Sequence, residues 1–168
     1  MALREGHDGT ENGLSPALVL GFGNVLLGDD GAAVHLVRRL KADRELSRCE
    51  FIDGGMSFSL LSHVEATNSM LVVDTAELQR VPGTVALFDG LAMDNFLKGG
   101  RRRAAHEVGL IDLLDMARLH DRLPTRRALL CVQPGPIARC EMLSSQVEEG
   151  LLEAAALAGA LLGLWAMT

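Results

Sequence analysis

Carboxylates that follow short apolar runs, and one histidine before a helical pattern, are the side chains best placed to do chemistry. Gly21-Phe22-Gly23-Asn24-Val25-Leu26-Leu27-Gly28-Asp29-Asp30-Gly31 follows a first strand-like run and ends in two adjacent acids. A dinucleotide turn fails here. Its third glycine would fall on Leu26, and Asp29 and Asp30 would repel a pyrophosphate at the positive end of the next helix. The simplest reading of the pair is helix capping, since Asp is favoured at an N-cap or in the first turn. Two acids exceed what one cap needs, so Asp29 is assigned the cap and Asp30 is left to point into a crevice. Asp74 follows Leu71-Val72-Val73, where a carboxylate either faces a crevice or makes a local turn bond with Thr75. Asp53 has the same placement, but Gly54-Gly55 behind it favours a turn-bonding role. His106 lies between Arg101-Arg102-Arg103 and a helix expected from about Glu107. The helix dipole there keeps imidazole neutral, which is its metal-binding form; the plainer reading is an exposed loop residue.

Other chemistries lack their residues. There is no GxSxG elbow, and His106-Glu107 is not followed by the second histidine of a zincin helix. Cys49, Cys131 and Cys140 show no CxxC spacing and are odd in number, which points to a reduced, cytoplasmic setting. Cys131, at a strand end, reads as a small core residue as readily as a nucleophile. His7, His35, His63 and His120 have no better claim from pattern.

These groups need elements that bring them to one edge. Strand-like runs at Ala17–Phe22, Glu50–Ile52, Met70–Val73, Thr84–Phe88 and Ala128–Val132 alternate with helical spacing over about 30–42, 58–64 and 108–120 and in a terminal helix. The pattern predicts an α/β fold: three layers, doubly wound, with a mostly parallel five-stranded sheet and helices on both faces. Pro82-Gly83 is a turn, and a hairpin-like link to the Thr84 run would make the sheet mixed. Lys98–Arg103 reads as a mobile basic loop. In such sheets ligands bind beyond the carboxyl ends of the strands, where Asp30 and Asp74 fall.

The chain has 168 residues, suited to one domain at 17–168 behind a flexible N-terminal tail at 1–16. That tail is polar and lacks the apolar core of a secretory signal. A net charge of −6 and 4% aromatics argue against a nucleic-acid partner. Ala154–Met167 is uncharged but short for a membrane span. Leu143, Val147, Leu151, Ala155, Ala158, Leu162 and Trp165 recur three or four apart, as in the buried stripe of a core helix, so no membrane partner is expected.

Together, Gly21-Phe22-Gly23-Asn24, Asp29-Asp30-Gly31, Asp53-Gly54-Gly55, Asp74 and His106-Glu107-Val108-Gly109-Leu110 resemble the nickel–iron hydrogenase maturation endopeptidases. The resemblance runs in register from about Leu18 to Leu164. It implies an enzyme that removes a short C-terminal extension from the hydrogenase large-subunit precursor once nickel is in place. It also implies that Asp30, Asp74 and His106 form the metal-contacting and catalytic site, with Gly54, Gly55 and Asn24 as substrate contacts. Two oxygen donors and one imidazole suit a borderline divalent ion with open positions. So sparse a set should hold metal weakly, so nickel is expected to arrive with the precursor, and other divalent ions can occupy the site in vitro. Either carboxylate could serve as general base. Transient processing fits a monomer. The chain departs from the family at Met56, where Thr is common, at Ala33, where glycine would leave the helix start less crowded, at Cys131, where glycine is frequent, and across Arg139-Cys140-Glu141. Two competing readings are a non-cleaving, nickel-checking chaperone for the precursor and a nucleotide-binding domain.

Overall fold

Five apolar runs too short for helices pair side by side, and the longer periodic stretches fold over both faces of the sheet they make. The computed structural model describes residues 16–53, 59–99 and 107–167; the tail expected at 1–16, apart from Pro16, lies outside them, as do Gly54, Gly55, Met56 and His106. The strands are β1 (Leu18–Gly21), β2 (Glu50–Asp53), β3 (Ser69–Thr75), β4 (Val85–Asp89) and β5 (Arg126–Val132), in the order β2-β1-β3-β5-β4. β1 runs parallel to β2 and β3, and β3 parallel to β5; β4 is antiparallel to β5. The mostly parallel, doubly wound reading therefore holds.

The sheet is mixed for a different reason than a hairpin. β4 does not pair with β3, because β5 lies between them. The link from β3 to β4 crosses the end of β5 and satisfies its backbone there: the Ala76 N–H donates to the Val132 carbonyl and the Gly83 N–H to that of Gln133.

The helices are α1 (Ala32–Lys41), α2 (Leu60–Ala66), α3 (Leu91–Lys98), α4 (Glu107–Leu119) and α5 (Ser145–Ala166). Period-two alternation sorts the strand residues between two cores. Val19, Leu71, Val73, Leu130 and Val132 pack under α1 and α5. Leu20, Met70, Val72, Leu129 and Cys131 pack under α2, α3 and α4. α3 corrects the sequence reading: Lys98, expected in a mobile loop, is its last residue. Met93, Phe96 and Leu97 are its buried stripe, and Gly99 closes it.

α5 is long and apolar enough to cross a bilayer. Val147, Leu151, Ala154, Ala158, Leu162 and Trp165 are nevertheless buried in the core, in keeping with a core stripe. Leu143 precedes the helix and Ala155 is half-buried, so the stripe runs through Ala154 instead.

Candidate active site

The winding of the chain sets a topological switch point before any side chain is considered. From β1 the chain goes to β2 on one side, crossing over α1. From β2 it returns past β1 to β3, crossing over α2 on the other face. The connections thus diverge between β1 and β3, and the carboxyl ends of strands at such a switch point flank the usual ligand crevice of open α/β sheets. The segment after β1 carries Asp29 and Asp30, and β3 ends in Asp74-Thr75.

Phe22 to Gly31 folds back on itself. Gly23 has φ +157, and a Cβ there would sit 2.1 Å from the Asp30 carbonyl oxygen, so glycine allows the two backbones to touch. The Asn24 N–H donates to Asp30 Oδ2 at 2.9 Å. Asn24 Oδ1 accepts from the Leu26 N–H at 3.0 Å, leaving its NH2 group as the part able to meet a substrate. Asp30 is partly exposed, and its Oδ1 has no hydrogen-bond partner among the described residues.

Asp29 corrects the capping assignment. Its side chain caps neither the 3-10 turn at Gly28–Gly31 nor α1. It is 4% exposed and reaches across the molecule. Oδ1 accepts from the Ser144 N–H at 2.7 Å; Oδ2 accepts from the Gly135 N–H at 2.9 Å and the Ser144 hydroxyl at 2.8 Å. Ser144 is itself the N-cap of α5. The Gly28 N–H also donates to the Cys140 carbonyl, and Leu27 bridges Cys140. The Arg139-Cys140-Glu141 departure therefore contributes backbone to a strap that holds the Asp30 loop.

Asp74 is fully buried, and Oδ1 accepts from the Thr75 N–H at 2.8 Å. The turn bond and the strand-end position thus coexist. Asp74 stands directly opposite Cys131 in the β3–β5 register, and Cys131 stands opposite Ala86 in β4. Burial, with the Asp74 carboxylate adding to it, pushes the Cys131 thiol far above its ordinary range. That removes Cys131 as a thiolate nucleophile and leaves the core reading.

Asp53 makes an exposed ion pair with Arg38 at 2.6 Å, and the Gly54-Gly55 turn expected behind it lies outside the described residues. His63 and His120 pair with Glu50 and Glu65. Ala33, expected to crowd the start of α1, is fully buried without displacing it. Gly21 lets α1 lie close on β1 there, since a Cβ on it would meet the Ala33 carbonyl at 3.1 Å and Val37 at 2.6 Å.

The structure thus brings Asp30 and Asp74 to the carboxyl edge of neighbouring strands. His106 falls outside the described residues, immediately before α4, which packs on the same face as Leu20, Val72 and Cys131. Among the described residues, no three His, Cys, Asp or Glu side chains gather to hold a metal ion. Gln133 directly follows β5 and precedes Pro134. It is 4% exposed, accepts from the Leu78 N–H at 2.7 Å and donates to Glu77 Oε2 at 3.2 Å, fixing the segment after Asp74. A polar residue directly after an apolar strand run was the available signal.

A sequence profile of hydrogenase maturation proteases matches residues 34–159. The hydrogenase expression/formation protein HoxM of Cupriavidus necator is 29% identical over 119 residues, 70% of this chain and 58% of that protein. HupD of Rhodobacter capsulatus, also named a hydrogenase expression/formation protein, is 31% identical over 70% of this chain and 56% of its own length. The matched stretch thus spans a little over half of these relatives. Among solved structures, the nickel–iron hydrogenase maturation protease HybD from Thermococcus kodakarensis superposes with a TM-score of 0.75 at 27% identity, covering 87% of this chain and 98% of that one. HybD from Escherichia coli, a hydrogenase maturating endopeptidase, gives 0.75 at 23% identity over 85% and 89%, a likeness of fold.

Proposed function

We propose, since the chain belongs to the hydrogenase maturation protease family, that it is an endopeptidase acting on a nickel–iron hydrogenase large-subunit precursor. It removes the C-terminal extension after nickel insertion, in the cytoplasm and as a monomer. The observation that carries this reading is the flanking of the β1–β3 switch point by Asp30 and Asp74.

In this reading Asp30, Asp74 and His106 meet nickel held by the client's own ligands. The donor chemistry supports it: Asp30 has an oxygen with no competing hydrogen bond among the described residues, and two carboxylates with an imidazole suit a borderline divalent ion. The client's metal supplies Lewis acidity toward the scissile carbonyl or an attacking water. The chain supplies position. The Asn24 N–H fixes the Asp30 carboxylate, the Thr75 N–H fixes that of Asp74, and Asp29 anchors the first loop to the start of α5. One of the two carboxylates accepts the proton of the attacking water and returns it to the leaving amine. Gly54 and Gly55 admit the peptide backbone, and the Asn24 amide contacts it.

The test is to incubate the protein with nickel-loaded and nickel-free precursor and weigh the large subunit by mass spectrometry. Loss of the extension only with nickel is the expected result. Tight binding with no mass loss in either sample would overturn the peptidase reading in favour of a nickel-checking module.

A further inference from the structure

β4 is an edge strand, and its hydrogen-bond parity can be read directly. The Gln133 N–H donates to the Thr84 carbonyl and the Gly90 N–H to that of Arg127, both at 2.8 Å. Alternation then makes Thr84, Ala86, Phe88 and Gly90 the positions bonded to β5. The backbone groups of Val85, Leu87 and Asp89 point away from the sheet, and no described residue pairs with them. Open strand edges are templates for an added strand, and proteins commonly blunt them with Lys, Pro or a cover. β4 has neither Lys nor Pro.

Beside this edge lies a groove of about 1140 Å³ with Leu78, Val81, Pro82, Ala86, Phe88 and Phe96 among its lining. Phe88 and Phe96 stack with centroids 4.1 Å apart. The opposite wall is held in shape. Gln133 accepts from the Leu78 N–H, and Gln79 is kept at φ +58, a conformation costly for a non-glycine residue that recurs at ligand clamps. A wall fixed before binding spares the ordering cost of a loose loop. Arg80 lies in that wall with no ion-pair partner among the described residues.

One lining residue of the groove, Ala86, is in register with the candidate active site. Asp74, Cys131 and Ala86 are directly opposed across β3, β5 and β4, so they share one row on one face of the sheet. Two inter-strand spacings separate the ends of that row, about 10 Å, or roughly three residues of extended chain.

We infer that the β4 edge takes up the client polypeptide beside the scissile bond as an added strand, its alternate apolar side chains filling the groove and an acidic residue facing Arg80. Strand addition draws affinity from main-chain hydrogen bonds and specificity from alternate side-chain pockets. This rests on the peptidase reading for the identity of the client, but its test does not need cleavage.

The test measures the dissociation constant of nickel-loaded large-subunit precursor for the full chain carrying Asp74→Asn, alone and with either of two further changes. Leu87→Pro removes an outward N–H, and proline is tolerated at such edge positions. Val81→Glu puts a charge in the groove from a residue 74% exposed, so the fold is not at stake. Both changes should weaken binding tenfold or more. Unchanged binding in the Val81→Glu protein and in folded Leu87→Pro would overturn the inference, as would absence of binding by both the Asp74→Asn chain and the unsubstituted chain. A concentration-dependent dimer abolished by Leu87→Pro, with precursor affinity unchanged, would assign the edge to a second copy of the chain and equally overturn it. Binding by the unsubstituted chain without cleavage would sink the peptidase reading while leaving the groove in place.

Discussion

The two faces of the sheet are built in different ways. Under α1 and α5 the core is continuous and its backbones touch. A Cβ on Gly150 would lie 2.1 Å from the Gly83 carbonyl oxygen, and one on Gly83 would lie 2.0 Å from that of Gln146. Arg39 and Glu148 add an ion pair between the two helices. The other face is covered by α2, α3 and α4, of 7, 8 and 13 residues. Asp74 and Cys131 share a row on that face, and both Gly54-Gly55 and His106 precede helices that cover it. The contrast separates stabilisation from chemistry: one face is held by close packing, and the other carries the polar groups and the β4 groove.

Substitutions can break that division. The largest effect is expected from Asp30→Asn and His106→Ala. Each should abolish processing of nickel-loaded precursor, and Asp30→Asn, at a partly exposed side chain, should change the unfolding free energy read from urea by no more than about 0.5 kcal/mol. Gly150→Ala should do the opposite. Its methyl group has no room against the Gly83 backbone, so it should cost about 3 kcal/mol by overpacking, read from urea unfolding, with the remaining folded protein still active.

Asp29→Asn lies between the two classes. The new NH2 group would face the Gly135 N–H or the Ser144 N–H, leaving a buried donor unpaired at about 2 kcal/mol. The effect should appear in the melting curve first and in processing only through the tethered Asp30 loop. A full loss of processing at unchanged stability would mean that Asp29, not Asp30, is the working acid.

Asp94→Asn should cost a similar or slightly smaller amount, through a pair that ties α3 to β5 on the chemical face. Arg127 donates to both Asp94 oxygens, at 3.0 and 2.5 Å, with both side chains nearly buried. Hydrogen bonding from Arg127 holds the Asp94 carboxyl below its usual range. A carboxyl lowered by folding stabilises above its unfolded value, near pH 4, and loses that contribution as pH falls through the folded value. The stability gap between parent and variant should therefore be full at pH 7 and close below about pH 4.

Much of the fold was legible because five short apolar runs leave few choices once helical stretches separate them. α3 was not, since only Met93, Phe96 and Leu97 mark it and Gly99 with the basic run beyond obscures its end. The position of β4 depends on β5 inserting beside β3, a long-range pairing that no local pattern encodes. Asp30 and Asp74 could be found because strand ends show in sequence as the place where apolar runs stop. The partners of Asp29 lie 106 and 115 residues away, so spacing could suggest only a local cap. Gln133 was likewise hidden, since its role appears only when the segment around Leu78 folds over it.

Asp74→Asn is the most direct test that this residue serves the reaction rather than the fold. Asparagine keeps an acceptor for the Thr75 N–H, so the variant should melt within a few degrees of the parent, bind nickel-loaded precursor and leave its mass unchanged. A variant that still trims the precursor at the parent's rate would contradict the account.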